Sequence, residues 1–529
     1  MVALPDTFNA ATWFVDRHVQ EGRGAKVAIE CGGERVTYAE LLERVNRAGN
    51  LLRDEFDVRL EERIVLLLLD GPEFMYTFFG AIKIGAVPIP TSTLWKPDDY
   101  EYVLNDSRAR VVVISDALLP QLEAIPRERL RYLKHVVVAG PKGPALHTLM
   151  ADASPHLEAE PTGKDDPAFW LYSSGSTGFP KGCVHLQHDM VVCTELYAKG
   201  ILRMTEADRC FSVAKLFFAY GLGNAGYCPF GIGATSILWP GSPAAPNVYA
   251  VIERYRPTLF FSVPTNYGML LAHTREGKDF DLSSVRYAVS AGESLPAAIF
   301  ERFKQRFGVE ILDGIGSTEV LHIFISNRPG DVRPGSSGKI VDGYEARIVD
   351  EDGRDVPRGE IGNLLISGDS TCAFYWNKHE KTKATIEGRW IRTGDKYYQD
   401  DEGYFWYAGR SDDMLKVGGI WVSPIEVENT MIEHPAVHEC GIGARADRDG
   451  LLKPYAFIVV RPGVSRTPEL AAELQQFIRS RLADYKRPRW VEFIDELPKT
   501  ATGKLQRYKL REKAAQSKLE VGSSKAEVT

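Results

Sequence analysis

Apolar runs of five to seven residues alternate along most of this chain with segments whose apolar residues recur at helical spacing. In TYAELLERVNRAGNLLRDEF, Thr37 and Glu40 form the pair of a capping box, and Leu41, Val45, Ala48 and Leu52 share one helical face. RIVLLLL then reads as a strand, and PEFMYTFFGAIKIG as a helix that stops at a glycine. RVVVIS and HVVVAG repeat the strand pattern; TLFFSV runs into a helix from Pro264, and VRYAVSAG into one from Pro296. Alternation of this kind predicts an α/β fold built on mostly parallel sheets.

From about Val332 the pattern changes. GYEARIVDEDGRDVPRGEIGNLLISG carries short strands joined by Asp-Gly and Arg-Gly turns, a β-rich subdomain. After YFWYAGRSDDMLKVGG the chain starts again: helix SPIEVENTMIEH, strands VHECGIG and PYAFIVV, helix ELAAELQQFIRSRL. That is a separate, small α+β domain. The expected division falls between Ser411 and Asp412, giving an N-terminal domain of residues 1–411 and a C-terminal domain of residues 412–529. The final stretch, AAQSKLEVGSSKAEVT, is polar and expected to fray.

Composition narrows the function. A net charge of −7 over 529 residues supplies no basic field for nucleic acid. The longest aliphatic run, residues 64–69, is too short to cross a membrane, and the N-terminus lacks a basic segment followed by an apolar one, so no signal peptide and no membrane partner are expected. Seven cysteines, none in a C-x-x-C spacing, predict reduced thiols in a cytoplasmic protein.

The chemistry concentrates in a few stretches. FWLYSSGSTGFPKGCVH, residues 169–185, packs Ser173, Ser174, Gly175, Ser176, Thr177 and Gly178 together, with Lys181 behind Pro180. It is not a Walker A loop, because no helix follows the lysine; GCVHL reads as a second strand. The loop between the two strands can offer hydroxyls and backbone N–H groups to an anion. YGLGNAG holds a G-x-G-x-x-G spacing, but no acidic residue follows where a dinucleotide site needs one, so a glycine-loosened helix start is the better reading. DGIGSTE, residues 313–319, follows the short strand VEIL and sets a carboxylate beside two hydroxyls, either a capped turn or a magnesium ligand near phosphates. WIRTGDKYYQDDEGYFWYAGRSDD places Asp395 and Arg410 in turns flanking strands. LPKTATGKLQR sets Lys504 in a glycine/threonine turn, a solvated basic loop or a cation delivered to a phosphate. His185, His188 and His322 lie near these motifs, with no H-E-x-x-H to suggest a metal site.

In this order the motifs resemble those of the adenylate-forming superfamily of acyl-CoA synthetases, peptide-synthetase adenylation domains and beetle luciferases, over nearly the whole chain. WLYSSGSTG-x-PKG, AKLFFAYGLGN, DGIGSTE-x-LHIF, DVRPGSSGK and DDMLKV-x-GI-x-VSP-x-E are similar to the benzoate-CoA ligase branch, which includes 4-hydroxybenzoate-CoA ligases. The resemblance implies ATP-dependent activation of an aryl carboxylate to acyl-AMP with loss of pyrophosphate, then transfer to coenzyme A. It implies ATP, magnesium and coenzyme A, a mobile C-terminal domain, and a monomer or homodimer. An enzyme of the same fold for another acid, or one that loads a carrier protein, is the alternative.

By matching positions, the resemblance assigns the β- and γ-phosphates to the hydroxyl loop and Lys181, magnesium to Glu319, and a phosphate contact to Thr318. Gly292, Glu293, Asp313, Gly314 and Ile315 would border the adenine; Asp395, Tyr407 and Arg410 would hold the ribose. Lys504 would serve the adenylation step and Lys416 the thioester step, with Asp412 the hinge between them. Gly418, Gly419 and Trp421 would line the coenzyme A tunnel. The acyl pocket would use Ala219, Tyr220, Gly221, Gly316, His322 and Ile323. Many superfamily members carry an aromatic residue where this chain has Ile315. No Asp lies in KLFFAYGLGN to hold an ammonium, which speaks against an α-amino acid substrate.

Overall fold

A computed structural model describes residues 2–140, 145–173, 180–411, 413–417, 420–447, 452–499 and 505–517. Its largest element is a nine-stranded sheet. From one edge the strands run Lys339–Ile340, Ile323–Ser326, Ile311–Gly316, Tyr287–Ser290, Leu259–Ser262, Arg209–Ser212, Thr235–Leu238, Val27–Cys31 and Glu34–Thr37. The central neighbours are parallel, and the strands at both edges pair antiparallel. A second sheet, Val87–Pro90, Arg63–Leu67, Val111–Ser115 and His135–Ala139, is parallel throughout. Its middle strands are apolar on both faces and buried, as helix-covered parallel strands must be.

The helices arise where the local chemistry asks for them. Thr37 accepts from the Glu40 N–H while the Glu40 carboxylate accepts from the Thr37 N–H, closing the capping box. Leu41, Val45, Ala48 and Leu52 are all buried. Pro264 opens the helix Pro264–Ala272, where its missing N–H costs nothing, and Pro296 caps Ala297–Phe307.

Beyond these sheets stand a five-stranded one built on Gly362–Ser367 and Trp390–Gln399 and a three-stranded antiparallel one of Pro167–Ser173, Lys181–Leu186 and Phe374–Tyr375. The last part of the chain makes its own sheet from Val437–Ala446, Leu452–Val460 and Trp490–Phe493, with its own apolar core beneath Pro424–Ile432 and Pro468–Arg479.

Three expectations need correction. DGIG does not follow a strand; it completes one, since Ile311–Gly316 runs through Asp313 to pair with the next strand. Asp395 and Arg410 are not in turns: they face each other in register across Trp390–Gln399 and Phe405–Arg410. Gly394 there adopts φ of 77°, a local twist that mimics a turn signal in the sequence without ending the strand. The last stretch does not fray from its start, because the helix Arg507–Gln516 continues into it and buries Ala514. YGLGNAG is helical, with a π turn over Gly223–Tyr227.

Candidate active site

The strands Pro167–Ser173 and Lys181–Leu186 are antiparallel, with Ser173 opposite Lys181. Register alone therefore puts these two residues at the mouth of the hydroxyl loop, whose Ser174, Gly175, Ser176, Thr177 and Gly178 lie outside the described residues. Facing them is the single turn Thr318–Val320, capped by the Ser317 hydroxyl, which accepts from the Val320 N–H.

Glu319 on that turn is the centre of a tight polar cluster. Its Oε1 accepts from the Tyr375 hydroxyl at 2.8 Å and the Ser173 hydroxyl at 3.1 Å, and lies 3.7 Å from the Lys181 ammonium. Lys181 sits 4.3 Å above the Tyr375 ring, with its nitrogen 3.3 Å from the hydroxyl. Burial works to raise the Glu319 carboxyl, but the Lys181 charge and the hydrogen bonds from Tyr375 and Ser173 outweigh it and hold it below its ordinary value. The carboxylate is thus ionised at neutral pH.

An ionised oxygen donor suits magnesium, which keeps several waters and takes most other ligands from substrate phosphates. No group of three or more His, Cys, Asp or Glu residues that could hold a metal by itself occurs among the described residues. A cation arriving on a phosphate and touching one carboxylate fits what is present.

The turn itself is braced. His185, buried against Phe169, bridges the Asp189 carboxylate and the Thr318 carbonyl, each at 2.8 Å. The Cys372 N–H reaches the Glu319 carbonyl at 2.7 Å, and the Ser370 hydroxyl the Val320 carbonyl at 2.8 Å. Leu321, the next residue, stands at φ of 69°, an uncommon conformation for a leucine. That kink turns the chain, so that Glu319 and His322 face different surroundings three residues apart.

Around His322 the surroundings are aromatic and uncharged. Its ring centroid lies 5.0 Å from Tyr197, 6.0 Å from Tyr220 and 6.2 Å from Tyr227, and its Nε2 is 3.1 Å from the Asn224 side-chain oxygen. Burial pushes its pKa down to about 3, so the ring is neutral. Tyr220, next to Ala219 and Gly221 on Ala219–Leu222, donates to the Ser262 and Val289 carbonyls, both at 3.2 Å, which fixes it to two sheet strands. Ile323 is buried opposite Gly316. A side chain at Gly316 would sit 2.6 Å from the His322 carbonyl, and one at Gly223 2.2 Å from the His322 ring, so both positions need glycine for close approach.

On the sheet side, Asp313 is buried opposite Ser290, and burial pushes its carboxyl up to about 8. Gly314 and Ile315 follow it on the same strand, and Gly292 and Glu293 follow the neighbouring strand, with Glu293 accepting from the Thr265 hydroxyl at 3.0 Å. The Arg410 guanidinium donates to the Asp395 carboxylate at 3.0 Å and to the Thr393 carbonyl at 3.1 Å. Tyr407 on the same strand packs 5.3 Å from Tyr397.

Of the C-terminal candidates, Asp412, Gly418, Gly419 and Lys504 lie outside the described residues, as do the side chains of Lys416 and Trp421. The backbones of Lys416 and Trp421 face each other across the hairpin Leu415–Val417 and Ile420–Val422. Beside Asp412, Asp413 is 3.7 Å from the Arg507 guanidinium and 3.2 Å from Arg511, and Arg507 also binds Glu428 at 2.6 Å. The segment that follows position 412 is thereby tied to the helix Arg507–Gln516.

With this geometry in place, two family models match the chain: the AMP-binding enzyme family over residues 15–376, and the AMP-binding enzyme C-terminal domain over residues 426–504. The chain belongs to the AMP-binding enzyme family. Within it, the chain falls in the benzoate-CoA ligase branch of the adenylate-forming enzymes. It is 50% identical over 512 residues to a benzoate–CoA ligase of Thauera aromatica, covering 96% of this chain and 97% of that one. It is 44% identical over 510 residues to a 4-hydroxybenzoate–CoA/benzoate–CoA ligase of Rhodopseudomonas palustris, covering 96% and 94%. The crystal structure of the anthranilate CoA ligase AuaEII in complex with anthranoyl-AMP matches with a TM-score of 0.92 at 45% identity, covering 97% of this chain and 98% of that one.

Two residues at this family member's site escaped the sequence reading, and so did the role of a third. Tyr375 carried no motif of its own in that reading. Leu321 is an ordinary leucine in STEVLHIF. His185 drew attention only for its neighbourhood, and its brace on Thr318 spans 133 residues of chain.

Proposed function

We propose that this protein is an AMP-forming ligase that joins a benzoate-type acid to coenzyme A, using ATP and magnesium. The observation that carries the reading is the juxtaposition at the Leu321 kink. On one side an ionised Glu319 sits with Lys181 at a hydroxyl-rich loop; on the other, tyrosine rings pack around a neutral, buried His322. One side suits a polyphosphate, the other a flat apolar ring.

In the first half-reaction the aryl carboxylate attacks the α-phosphorus of ATP and pyrophosphate leaves. A carboxylate is a weak nucleophile that needs no proton removed, so the residues work by positioning and by neutralising charge. Lys181 and the loop hydroxyls hold the β- and γ-phosphates, and Glu319 and Thr318 serve the metal-bearing phosphate side. Glu319 would hold magnesium carried on those phosphates, and the metal would supply charge neutralisation there when bound. Asp395 and Arg410 take the ribose; their register across paired strands supports that role. Asp313, Gly314, Ile315, Gly292 and Glu293 border the adenine. Tyr220, Gly316, His322 and Ile323 line the acyl pocket with Ala219 and Gly221.

Lys504 completes the adenylation site. The C-terminal domain then turns about Asp412 and brings Lys416, Gly418, Gly419 and Trp421 to the thiol of coenzyme A, which attacks the acyl-adenylate and releases AMP. The enzyme works in the cytoplasm as a monomer or homodimer; seven free thiols, six of them buried, support a reducing compartment.

A panel of acids assayed for coenzyme A-dependent AMP formation tests the reading. Benzoate, hydroxybenzoates and aminobenzoates exceed acetate and palmitate in kcat/KM by at least about two orders of magnitude, roughly 2.7 kcal/mol, within reach of shape and apolar burial. Equal rates with acetate or palmitate rule the reading out. Pyrophosphate release that ignores free coenzyme A would assign the protein to carrier loading instead.

A further inference from the structure

Tyr375 is held by more than packing. Its short strand Phe374–Tyr375 pairs with Lys181–Leu186, placing it opposite Cys183, and its N–H is held by the Thr382 hydroxyl at 3.1 Å. Tyr375 is 2% exposed. Its hydroxyl ends between the two charged groups of the phosphate side, 2.8 Å from Glu319 Oε1 and 3.3 Å from the Lys181 nitrogen.

Those two charges cannot both keep their present partner when ATP is bound. Lys181 lies 3.7 Å from Glu319, and a polyphosphate carries far more negative charge than one carboxylate. As the ammonium turns to phosphate, Glu319 loses its counter-charge while a cation approaches. The hydroxyls of Tyr375 and Ser173 are the neutral donors that stay. Both meet at Oε1, so they turn the carboxylate with its other oxygen away from them. Ser173 ends its strand at the loop, whereas Tyr375 lies on the same segment whose Cys372 and Ser370 brace the backbone of the Glu319 turn.

We infer that Tyr375 is a positioning residue for metal-bound ATP: its hydroxyl keeps Glu319 aimed at the magnesium carried by the nucleotide, and its ring keeps Lys181 within reach of the phosphates. The inference rests on the reading of the protein as an ATP-dependent ligase.

Tyr375→Phe is the direct test, since it keeps the ring and its contact with Lys181 and removes only the hydroxyl. Calorimetric titration with ATP plus magnesium, and separately with AMP without metal, reads the effect without turnover. A hydrogen bond to a charged group predicts that Tyr375→Phe binds Mg·ATP about tenfold more weakly than the unaltered protein. AMP affinity and the KM for benzoate stay the same, and half-saturating magnesium rises. In a Glu319→Gln background the same change adds no further loss, because the group it positions is gone. Unchanged Mg·ATP affinity, an equal loss for AMP, or full additivity with Glu319→Gln overturns the inference while leaving the ligase reading intact. Should the unaltered protein bind ATP no better with magnesium than without it, both fall together.

Discussion

The two sides of the Leu321 kink solve opposite problems with neighbouring residues. Toward the hydroxyl loop, Glu319 and Lys181 are half-buried ions held by each other and by hydroxyls. Toward the helix Ala219–Leu222, His322 is fully neutral, and its neighbours are three tyrosines and an asparagine. A phosphate chain needs charge that can be handed over; an aromatic ring needs a dry surface of fixed shape. The difference teaches that changes on the two sides should be separable in kinetics: one should move nucleotide steps, the other acid binding.

The largest break is expected on the charged side. Lys504→Ala removes the cation proposed to meet the α-phosphate as pyrophosphate leaves. It should cost about 3–4 kcal/mol of barrier, roughly two to three decades in acid-dependent pyrophosphate release. Supplied benzoyl-adenylate should still be converted to the thioester, while Lys416→Ala should spare the first step and slow the second. Single-turnover measurement of each half-reaction decides it: if Lys504→Ala loses both steps equally, the division of labour between the lysines is wrong.

A smaller effect is expected on the neutral side. An added methyl at Gly223 would sit 2.2 Å from the His322 ring and 2.8 Å from the Tyr227 hydroxyl, and both rings are buried. Overpacking of this kind costs about 1–3 kcal/mol. Gly223→Ala should therefore raise the KM for benzoate about tenfold while the KM for ATP stays put. A change confined to ATP would merge the two sides and remove the distinction between them.

What the sequence made legible were features written locally. The capping box at Thr37, the proline-led helices and the two strands flanking the hydroxyl loop all follow from residues within a few positions of each other. The placing of Asp395 and Arg410 in turns failed because Thr-Gly-Asp looks like a turn, yet pairing with a neighbouring strand carries the chain straight through Gly394. Tyr375 could not be read at all: its partners Glu319 and Lys181 are 56 and 194 residues away, and only the sheet brings them together. The strain at Leu321 likewise has no local signature, since a leucine at positive φ is imposed by the elements it joins.

The smallest expected effect concerns pH, and it contrasts two buried groups in the same region. Burial pushes His322 down to about 3, so below about pH 6.5 the unfolded chain takes up a proton the folded one refuses, and stability falls as the solution turns acid. Burial pushes Asp313 up to about 8, so the folded protein keeps a proton that the unfolded chain gives up near pH 4, and stability falls as pH rises from there to about 8. Asp70, raised to about 6, acts in the same direction as Asp313 but completes its change lower. His18, lowered to about 4, adds to the acid-side loss. Above pH 6.5 the two lowered histidines have stopped contributing and Asp70 is nearly spent, which leaves Asp313 to set most of the slope; His188, held above its ordinary value against burial by the Asp189 charge and the Lys164 and Asp369 carbonyls, loses its share over the same range. Melting temperature of the ligand-free protein should fall by a few degrees between pH 6.5 and 8.5, and Asp313→Asn should flatten that limb while keeping the acid-side loss. If the limb keeps its slope in Asp313→Asn, the proton held by the folded protein is on some other group, and Asp313 is itself charged at neutral pH.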